Sequence, residues 1–547
     1  MTVLAQSPQR MSPFAETVMR ARYSHEGKES WGDIAHRVAT NVLGAVNAPQ
    51  DLIDETERLI TNRQFMPGGR YLYAAGRDFH QVQNCLLLRA EDSREGWSDH
   101  VSKATMALMT GAGIGAVYSD LREEGSLIHR TGGTSSGPLA LMQMTNEVGR
   151  GAIQGGSRRA AIWAGLHWNH PDVMKFVKIK DWRPEVKALK EEDFNFPATM
   201  DFTNISVILD DEFFISYHDN SHPMHLWAQE VYWTAIRGMM ETGEPGFSID
   251  IGKNTGENLR NACTEITSAD DSDICNLGSI NMSRINSLEE MRNVTEIATA
   301  FLLAGTVYSD VPYEKVAKVR SKNRRIGLGL LGLHEWLLER GKSYGPDREL
   351  GEYLDVYTDS DEFASKWSDS WNLSRPVKTR SVAPTGTIGQ VAETTTGVEP
   401  IFCAAFKRRY YDRGTWRYQY VLDPTAQRMV ESGMDPDALE DAYSIPQNRR
   451  LEFQSWLQQY VDHAISSTIN LPEWGSSQNN ENVVQSFGNN MMDHLPSLRG
   501  VTAYPDGARG GQPLNRVDYK EASMQVGMVF TEGVDVCDIT KAGSCGA

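Results

Sequence analysis

The chain has 547 residues, which is long for one ordinary core and leaves room for two or three domains or for one large barrel. Its formal net charge of -18, from 54 basic and 72 acidic residues, argues against nonspecific binding to nucleic acid polymers or anionic membranes. Because no apolar run reaches the roughly 18 residues of a membrane helix and the N-terminus has no signal-peptide core, we expect a cytoplasmic protein without a membrane partner.

The first predicted elements are amphipathic helices. Apolar residues recur near a 3.6-residue spacing in Trp31–Ala39, which predicts an N-terminal helical region over residues 1–62. Beyond it, many of the 47 glycines stand where strands and helices would meet, which is typical of an α/β architecture. We assign residues 63–515 to one large α/β domain and residues 516–547 to a C-terminal segment that ends in a mobile tail.

Three further segments have predicted secondary structure. Residues 102–118 are predicted to form a helix that leads into a Gly-rich turn and a strand. Residues 290–310 and 328–341 are predicted to be helices.

Asn84 and Cys85 open an apolar run that predicts a buried strand. On its own, Cys85 fits an ordinary core cysteine. The Gly-rich segment Gly111–Gly115 follows. A lone Gly-x-Gly-x-Gly is weak evidence of dinucleotide binding, and no acidic residue in a βαβ context supports that interpretation here.

A flexible, cationic loop is predicted after the Gly- and Ser-rich stretch 130–138. The glycines permit backbone conformations that other residues disfavour, and the guanidinium groups suit contacts to phosphates or bases. The loop is therefore a candidate nucleotide-reading segment. Its residues are Gln154, Gly155, Gly156, Ser157, Arg158 and Arg159.

Asn261, Cys263 and Glu265 carry an amide, a thiol and a carboxylate on alternate residues. In an extended segment, alternate side chains point to the same side, so we expect these groups to face one small volume. That volume would hold hydrogen-bonding groups, a sulfur able to perform one-electron chemistry and a general base. Cys275 supplies a second sulfur nearby in the chain. A chance Asn-x-Cys-x-Glu around a structural cysteine is the alternative for these residues alone.

A second candidate binding loop contains small hydroxyl residues and a glycine at a turn. Such a turn leaves backbone N–H groups available to an anion, although an ordinary capped turn would look the same. No Gly-Lys-Ser/Thr follows, so the segment is not a Walker loop. The loop residues are Pro384, Thr385, Gly386, Thr387 and Ile388.

Taken in chain order, these motifs resemble those of ribonucleotide reductases. The resemblance runs from about residue 65 to residue 515 and includes Asn323–Gly329 and Val501–Arg509. A shared order of several motifs is more specific than any one of them. The resemblance implies a ten-stranded α/β barrel with a central finger loop, and thiyl-radical reduction of ribonucleoside di- or triphosphates to 2′-deoxyribonucleotides for DNA synthesis.

The resemblance also implies a catalytic role for each residue of the central motif. Cys263 would become the thiyl radical that takes the 3′ hydrogen of the ribose. Glu265 would be the general base, and Asn261 would hold a ribose hydroxyl. Cys85 and Cys275 would be the redox pair, because removal of the 2′-hydroxyl takes two electrons, which two thiols deliver by forming a disulfide.

The remaining motifs correspond to binding and regulation in that family. Asn84 and residues 384–388 would bind the ribonucleotide. Residues 154–159 would respond to a dNTP or ATP effector, at a two-fold interface of a homodimer. Cys537 and Cys545, near the C-terminus, would reduce the internal disulfide and be recharged by thioredoxin or glutaredoxin, although their eight-residue spacing is wider than is usual in the family.

A thiol does not lose its hydrogen atom unaided, so the reaction needs a separate source of the radical. Two alternatives remain for that source. The amino-acid sequences of the loops most resemble those of the adenosylcobalamin-dependent class, so adenosylcobalamin is the favoured cofactor. The alternative is a compact, divergent catalytic subunit served by a separate ferritin-like dimetal subunit, whose radical relay usually needs two adjacent tyrosines where this chain has only Tyr504. From the length of the chain, we also expect no N-terminal ATP-binding cone.

Two other functions remain as alternatives. A catalytically silent nucleotide-binding regulator would not need all five catalytic residues, and a general thiol-disulfide oxidoreductase would be expected to carry a Cys-x-x-Cys, which this chain lacks. We interpret Cys403 as structural because its neighbours are apolar. His167 and His170 lack an evident third ligand, so we assign no metal site.

Overall fold

The computed structural model describes residues 11–129, 132–154, 158–193, 196–412, 415–508 and 514–531. Cys537 and Cys545 and the centre of the predicted nucleotide-reading loop, residues 155–157, lie outside these described ranges. None of the helices within them is long and apolar enough to cross a bilayer.

Short helices and one strand precede the barrel. The Ser30 hydroxyl accepts a hydrogen bond from the Asp33 amide, and the Asp33 carboxylate accepts one from the Ser30 amide, which forms a capping box at the start of the second helix. The elements are α1 (Pro13–Arg22), α2 (Trp31–Gly44), α3 (Gln50–Thr61), β1 (Phe65–Pro67) and α4 (Gly69–Ala74).

The first half of the barrel consists of five parallel strands with helices between them. These strands are β2 (Cys85–Arg89), β3 (Gly113–Val117), β6 (Ile162–His167), β7 (Thr203–Asp210) and β8 (Gly246–Asp250), and a small hairpin of β4 (Ile153–Gln154) and β5 (Arg158–Arg159) precedes β6. The helices are α5 (Arg94–Met109), α6 (Gly137–Gly151), α7 (Val173–Val177), α8 (Pro184–Glu192), α9 (Asp211–His218) and α10 (His225–Thr242).

A short antiparallel hairpin then leads into the second half. The hairpin strands are β9 (Leu259–Arg260) and β10 (Thr267–Ser268). The later strands are β11 (Asp273–Asn281), β12 (Ile326–Leu331), β13 (Ala405–Asp412), β14 (Thr415–Leu422), β15 (Thr468–Leu471), β16 (Gly500–Pro505), β17 (Leu514–Arg516) and β18 (Val529–Thr531).

In the described part of the chain, ten helices accompany these strands. They are α11 (Leu288–Tyr308), α12 (Glu314–Asn323), α13 (Leu333–Glu339), α14 (Arg348–Thr358), α15 (Ser360–Ser370), α16 (Gly386–Ala392), α17 (Pro424–Glu431), α18 (Gln447–Leu457), α19 (Val484–His494) and α20 (Tyr519–Met524).

The two halves close into a barrel through antiparallel pairs. β11 pairs with β2 on one side, and β16 pairs with β8 on the other. Within the second half, β11 runs parallel to β12, and β15 runs parallel to β16.

The gap between β12 and β15 is filled by residues 378–382. Leu328 of β12 bridges Arg380, and Val382 bridges Ile465 at the approach to β15, both in parallel orientation. The Ser381 amide donates to the Leu328 carbonyl at 2.9 Å, and the Val382 amide donates to the Ala464 carbonyl at 3.2 Å. Counting this segment with the nine barrel strands of the sheet, the ten-stranded α/β barrel expected from the resemblance is confirmed.

The helices pack outside the barrel, and the finger hairpin (β9, β10 and the tip 261–266) lies inside it. Residues from both halves of the barrel and from the hairpin form a small apolar cluster in the interior: Cys85, Leu87, Val117, Trp163, Ile208, Leu259, Ile266 and Cys275. Two larger apolar clusters hold the helices against the outer faces of the strands.

The local predictions are partly right. A helix followed by a strand is confirmed in α5 and β3, and the helix predicted over 290–310 is confirmed as α11. The helix predicted over 328–341 is wrong at its start, because Ile326–Leu331 form β12 and α13 begins only at Leu333. A short apolar run that is buried on both faces does not reveal from sequence whether it is a strand or a helix.

Candidate active site

The tip of the finger hairpin is a tight turn. The Thr264 amide donates to the Asn261 carbonyl at 3.0 Å, and Thr264 has a positive φ of 68°. The prediction of an extended segment is therefore wrong for residues 261–265. The turn nevertheless brings Asn261, Cys263 and Glu265 to the wall of the same cavity.

Two adjacent segments of the barrel wall hold this tip. The Glu265 carbonyl accepts hydrogen bonds from the Ala464 amide at 2.9 Å and from the Ser381 hydroxyl at 3.1 Å. Within the tip, the Ile266 amide donates to the Asn261 side-chain oxygen at 3.0 Å. These contacts fix the backbone on which the candidate base and its amide neighbour stand.

A glycine in β3 allows the hairpin to approach the barrel wall. A Cβ atom on Gly115 would lie 1.9 Å from the Arg260 carbonyl oxygen and 2.9 Å from the Asn261 carbonyl carbon. Both are backbone atoms, so no side-chain movement could relieve the clash. The hairpin thus occupies space that any other residue at position 115 would take.

Cys85 and Cys275 face each other across the strand pair β2–β11. They are direct partners in the antiparallel register, and both are buried. The Cys85 thiol lies 4.0 Å from the Glu265 carboxylate oxygen Oε1, and the Cys275 thiol donates to the Asn276 carbonyl at 3.3 Å. The structure therefore brings the two cysteines together beside the finger tip.

Burial is the main influence on the pKa of both thiols. It raises the pKa of Cys85 well above its usual value, and the nearby Glu265 and Cys275 raise it further, whereas a hydrogen bond with Asn261 opposes the shift. Burial likewise raises the pKa of Cys275, with Asp273 as the next cause. Both sulfurs thus remain protonated thiols at neutral pH, able to give up hydrogen.

The cavity has a volume of about 630 Å³ and opens beside the finger tip. Strand ends, the finger tip, the predicted anion loop and the N-terminal helices all contribute to its wall. Its wall includes Asn84, Cys85, Asn261, Cys263, Glu265, Pro384, Thr385, Gly386, Thr387 and Ile388, all of which the sequence singles out. Cys275 is not part of the wall and lies beside Cys85 on the neighbouring strand.

The predicted anion loop turns sharply at Thr385, whose φ is 51°, before α16 begins at Gly386. The Thr385 hydroxyl accepts a hydrogen bond from the Gly397 amide at 2.7 Å, which ties the two ends of the loop together. Gly386 and Thr387 are exposed to the cavity. Their backbone N–H groups belong to the first helical turn, in which amides have no partner within the helix.

Sequence reasoning missed the contribution of the N-terminal helices. Arg22 and Tyr23, at the end of α1, and Arg70 and Tyr73, on α4, line the same cavity. The Arg70 guanidinium donates to the Gln81 and Thr110 carbonyls, each at 3.2 Å from Nη2, and lies over the Tyr73 ring. No local motif marks these residues, because their position depends on how α1 and α4 pack against the barrel.

The predicted nucleotide-reading loop forms a small hairpin where it is described. β4 and β5 pair antiparallel, with Gln154 opposite Arg158. Ala161, two residues after β5, lines the cavity. The loop therefore leads directly from α6 into the wall of the candidate site.

The remaining candidates lie apart from the cavity. Cys403 is buried and its thiol donates to the Ala405 carbonyl at 3.2 Å. His167 contacts the Asp210 carboxylate at 3.0 Å, and His170 contacts the Leu121 carbonyl at 2.9 Å. Among the described residues, no group of three or more His, Cys, Asp or Glu side chains could hold a metal ion.

Two protein families match the chain. Residues 9–80 match the family described as "Ribonucleotide reductase, all-alpha domain", and residues 83–230, 223–351 and 375–491 match "Ribonucleotide reductase, barrel domain". The matched barrel segments cover well over half of the chain.

Individual relatives are similar at low identity. A vitamin B12-dependent ribonucleoside-diphosphate reductase of Mycobacterium tuberculosis is 26% identical over 604 aligned positions, which cover 96% of this chain and 83% of the relative. A putative adenosylcobalamin-dependent ribonucleoside-triphosphate reductase of Mycobacterium phage D29 is 25% identical, covering 96% and 97%. The ribonucleoside-diphosphate reductase large chain of Schizosaccharomyces pombe is 27% identical, covering 54% and 40%.

Proposed function

The chain belongs to the ribonucleotide reductase large-subunit family, and from this premise we propose that Cys263 forms the thiyl radical that starts reduction of a ribonucleotide in the 630 Å³ cavity. The observation that supports this assignment is the meeting of a partly exposed thiol, a carboxylate and an amide at one turn, beside a buried pair of thiols. This is the set of groups that the reaction needs.

Each group has one task in the proposed reaction. The Cys263 sulfur takes the 3′ hydrogen atom of the ribose, and Glu265 accepts the 3′-hydroxyl proton. Asn261 holds a ribose hydroxyl through its amide. The radical returns to Cys263 when the sulfur gives the hydrogen atom back to the 3′ carbon.

Cys85 and Cys275 supply the electrons for the reduction. The 2′-hydroxyl leaves as water, which needs a proton, and the sugar gains hydrogen at the 2′ carbon. The two thiols supply two protons and two electrons and end as one disulfide. Their protonated state at neutral pH, which follows from burial, supports this role.

For the radical source, we propose adenosylcobalamin. When bound, it supplies a carbon-centred radical that is able to take a hydrogen atom from a thiol. Cys263 suits such a source, because its side chain is partly exposed in an open cavity, whereas Cys85, Cys275 and Cys403 are buried. The names of the Mycobacterium tuberculosis and phage D29 relatives also support this choice. The alternative source is a separate dimetal subunit.

Turnover of the purified protein tests the function. The protein is incubated with each ribonucleoside di- or triphosphate and a small dithiol, with adenosylcobalamin added or withheld, and deoxynucleotides are measured by liquid chromatography and mass spectrometry. We expect product only with the cofactor, and none from Cys263→Ser. Product that requires a dimetal subunit instead would overturn the cofactor assignment but leave the function intact.

We propose that the substrate phosphates bind between residues 384–388 and the cationic wall made by Arg22 and Arg70. A ribonucleotide carries two or three phosphates, and cations are their usual partners in proteins. The loop contributes hydroxyl and backbone N–H groups, and the two arginines contribute positive charge to the wall of the same cavity. This arrangement supports a nucleotide oriented with its ribose at the finger tip.

We propose that the β4–β5 hairpin carries the response to a dNTP or ATP effector. It leads from α6 to Ala161 in the cavity wall, so a change in the hairpin reaches the substrate directly. Met106 and Met109 on α5 and Met144 on α6 are exposed apolar side chains. Their exposure supports a homodimer interface formed by these two helices. The test is product ratios from mixed substrates with and without each effector, in wild type and Arg158→Ala; identical ratios throughout would refute the assignment.

A further inference from the structure

The base of the finger hairpin is surrounded by charged side chains that the proposed chemistry does not use. Glu257 precedes β9, and its carboxylate pairs with the Lys378 ammonium. Arg325 lies 3.6 Å from the same carboxylate and Arg499 lies 3.8 Å from it. All four side chains are mostly buried, so their contacts lie in a medium that screens charge weakly.

Lys378 contacts both sides of the hairpin base, through Glu257 before β9 and through Thr267 of β10. Its ammonium also donates to the Thr267 hydroxyl of β10 at 3.2 Å, and to the Asn254 side-chain oxygen at 3.4 Å. The Thr267 hydroxyl in turn contacts the Glu257 carboxylate at 3.2 Å. Lys378, Glu257 and Thr267 thus form a closed triangle across the base of the hairpin.

The same lysine begins the barrel segment 378–382. Three residues further on, the Ser381 hydroxyl bonds the Glu265 carbonyl. The segment therefore contacts the hairpin at its base, through Lys378, and at its tip, through Ser381. A change at Lys378 would be transmitted to the residues that carry the reaction, because both contacts belong to one strand.

We propose that Lys378 is a positioning residue, whose ammonium holds the finger hairpin so that Cys263 meets the ribose. This inference rests on the proposed function of Cys263. Hydrogen transfer to a sulfur needs the reacting atoms near van der Waals contact, and a displacement of about 1 Å costs about 100-fold in rate. Lys378 does not line the cavity, so its loss should affect turnover and leave nucleotide binding nearly unchanged.

The charge of Lys378 predicts that kcat depends on pH. The pKa of Lys378 is lowered to about 8, mainly by burial and in addition by Arg499, although Glu257 and Asp462 act to raise it. His463, which also faces this group, is neutral because burial and the surrounding cations lower its pKa well below the usual value. The ammonium is therefore present below about pH 8 and is lost above it, which weakens its hold on Glu257.

Loss of this proton should not unfold the protein. The pKa of Lys378 is lower in the folded chain, about 8, than the ordinary 10.5. Between these values the unfolded chain binds more protons, so this group's contribution to the free energy of unfolding rises with pH. A fall in kcat over this range without a fall in melting temperature would separate positioning from general stability.

Two substitutions and a matched control test the proposal. Lys378→Met should lower kcat about 10- to 100-fold with KM changed less than about twofold. Lys378→Arg should keep most of kcat below pH 8 and remove the decline above it, because a guanidinium stays charged. The control is Lys180→Met, which removes an ion pair to Glu244 at an equal side-chain exposure of 11%, away from the hairpin.

A second measurement does not depend on turnover. Alkylation of Cys263 by iodoacetamide, followed by peptide mass spectrometry, reports how well the tip is held. We expect a rate about fivefold higher in Lys378→Met and unchanged in Lys180→Met, because a loosened hairpin opens more often. If Lys378→Met does not fold, Glu257→Gln removes the partner charge at nearly constant shape and should give the same result.

The outcomes distinguish the two proposals. Absence of deoxynucleotide from the wild type would refute the proposed function, while the alkylation rates would still decide whether Lys378 holds the tip. Wild-type kcat and alkylation in Lys378→Met would overturn the inference with the function intact. An alkaline decline in Lys378→Arg identical to that of the wild type would also overturn it.

Discussion

Cys85 on β2 and Cys275 on β11 lie directly opposite each other in the antiparallel pair that joins the two halves of the barrel. Opposed residues in such a pair have Cα atoms about 4.5–5.5 Å apart, which is within the range of about 4.4–6.8 Å that a disulfide spans. The two thiols can therefore oxidise with rotation of their side chains alone. The strand pair that closes the barrel on this side thus also places the two candidate redox thiols side by side.

The first prediction concerns this pair. After one turnover without an external reductant, peptide mass spectrometry should reveal a Cys85–Cys275 disulfide in proportion to the product formed. The reason is that two electrons must leave the protein for each deoxynucleotide. The buried Cys403 is the internal control and should stay reduced. Both strand thiols free after product has formed would remove them from the mechanism.

The second prediction concerns Cys263. Cys263→Ser should fold and bind nucleotide but yield no deoxynucleotide, because the O–H bond of serine is too strong to serve in place of the S–H bond. The loss should be complete rather than partial, since Cys85, the other cysteine in the described part of the cavity wall, is buried. Cys403→Ser, distant from the cavity, is the matched control and should retain activity. Clear residual turnover by purified Cys263→Ser would refute the assignment.

The order of motifs in the sequence was enough to predict the barrel and ten of the 24 residues that line the cavity. Cys85, Cys263 and the loop 384–388 come from distant parts of the chain, and the structure brings them together. The conformation of the tip was not predictable from the alternation of Asn261, Cys263 and Glu265. That alternation suggests a strand, whereas the backbone turns at Thr264 with a positive φ.

Other parts of the site could not be read from the sequence for a different reason. Arg22 lies more than two hundred residues from Cys263 in the chain, and nothing in its neighbourhood distinguishes it from Arg20. Its place in the cavity wall results from the packing of α1 beside the barrel. Lys378 is similar, because its role follows from a strand segment whose neighbours, β12 and the chain before β15, are known only from the fold.

The third prediction concerns Gly115. Gly115→Ala should displace the finger hairpin, because the new Cβ would lie 1.9 Å from the Arg260 carbonyl oxygen. We expect kcat to fall about 100-fold and the free energy of unfolding to fall by about 1–3 kcal/mol. The control is Gly44→Ala at the end of α2, where a Cβ would meet nothing within 4 Å. Kinetics and urea unfolding measure both effects, and a wild-type kcat in Gly115→Ala would contradict the close approach.

The fourth prediction concerns Arg22. Arg22→Gln should raise KM for the ribonucleotide about tenfold and leave kcat nearly unchanged, because a phosphate contact is equally strong in the ground state and the transition state. The effect should shrink at high salt, since Arg22 is exposed. Arg20→Gln, two residues earlier on α1 and paired with Glu16 at 2.7 Å, is the control. Equal KM values in the two variants would remove Arg22 from the phosphate site.

The last prediction concerns the C-terminal cysteines. Truncation after Gly533 removes Cys537 and Cys545, and we expect single-turnover yield to be unchanged while repeated turnover with thioredoxin is lost. Thioredoxin is too large to reach the buried Cys85–Cys275 disulfide, so a thiol of the chain itself must carry the electrons inward by exchange.

A small dithiol that enters the cavity should restore repeated turnover to the truncated protein. The untruncated double variant Cys537→Ser/Cys545→Ser separates loss of the thiols from loss of the segment and should behave like the truncation. Equal steady-state rates with thioredoxin in all three proteins would show that electrons reach the barrel by another route.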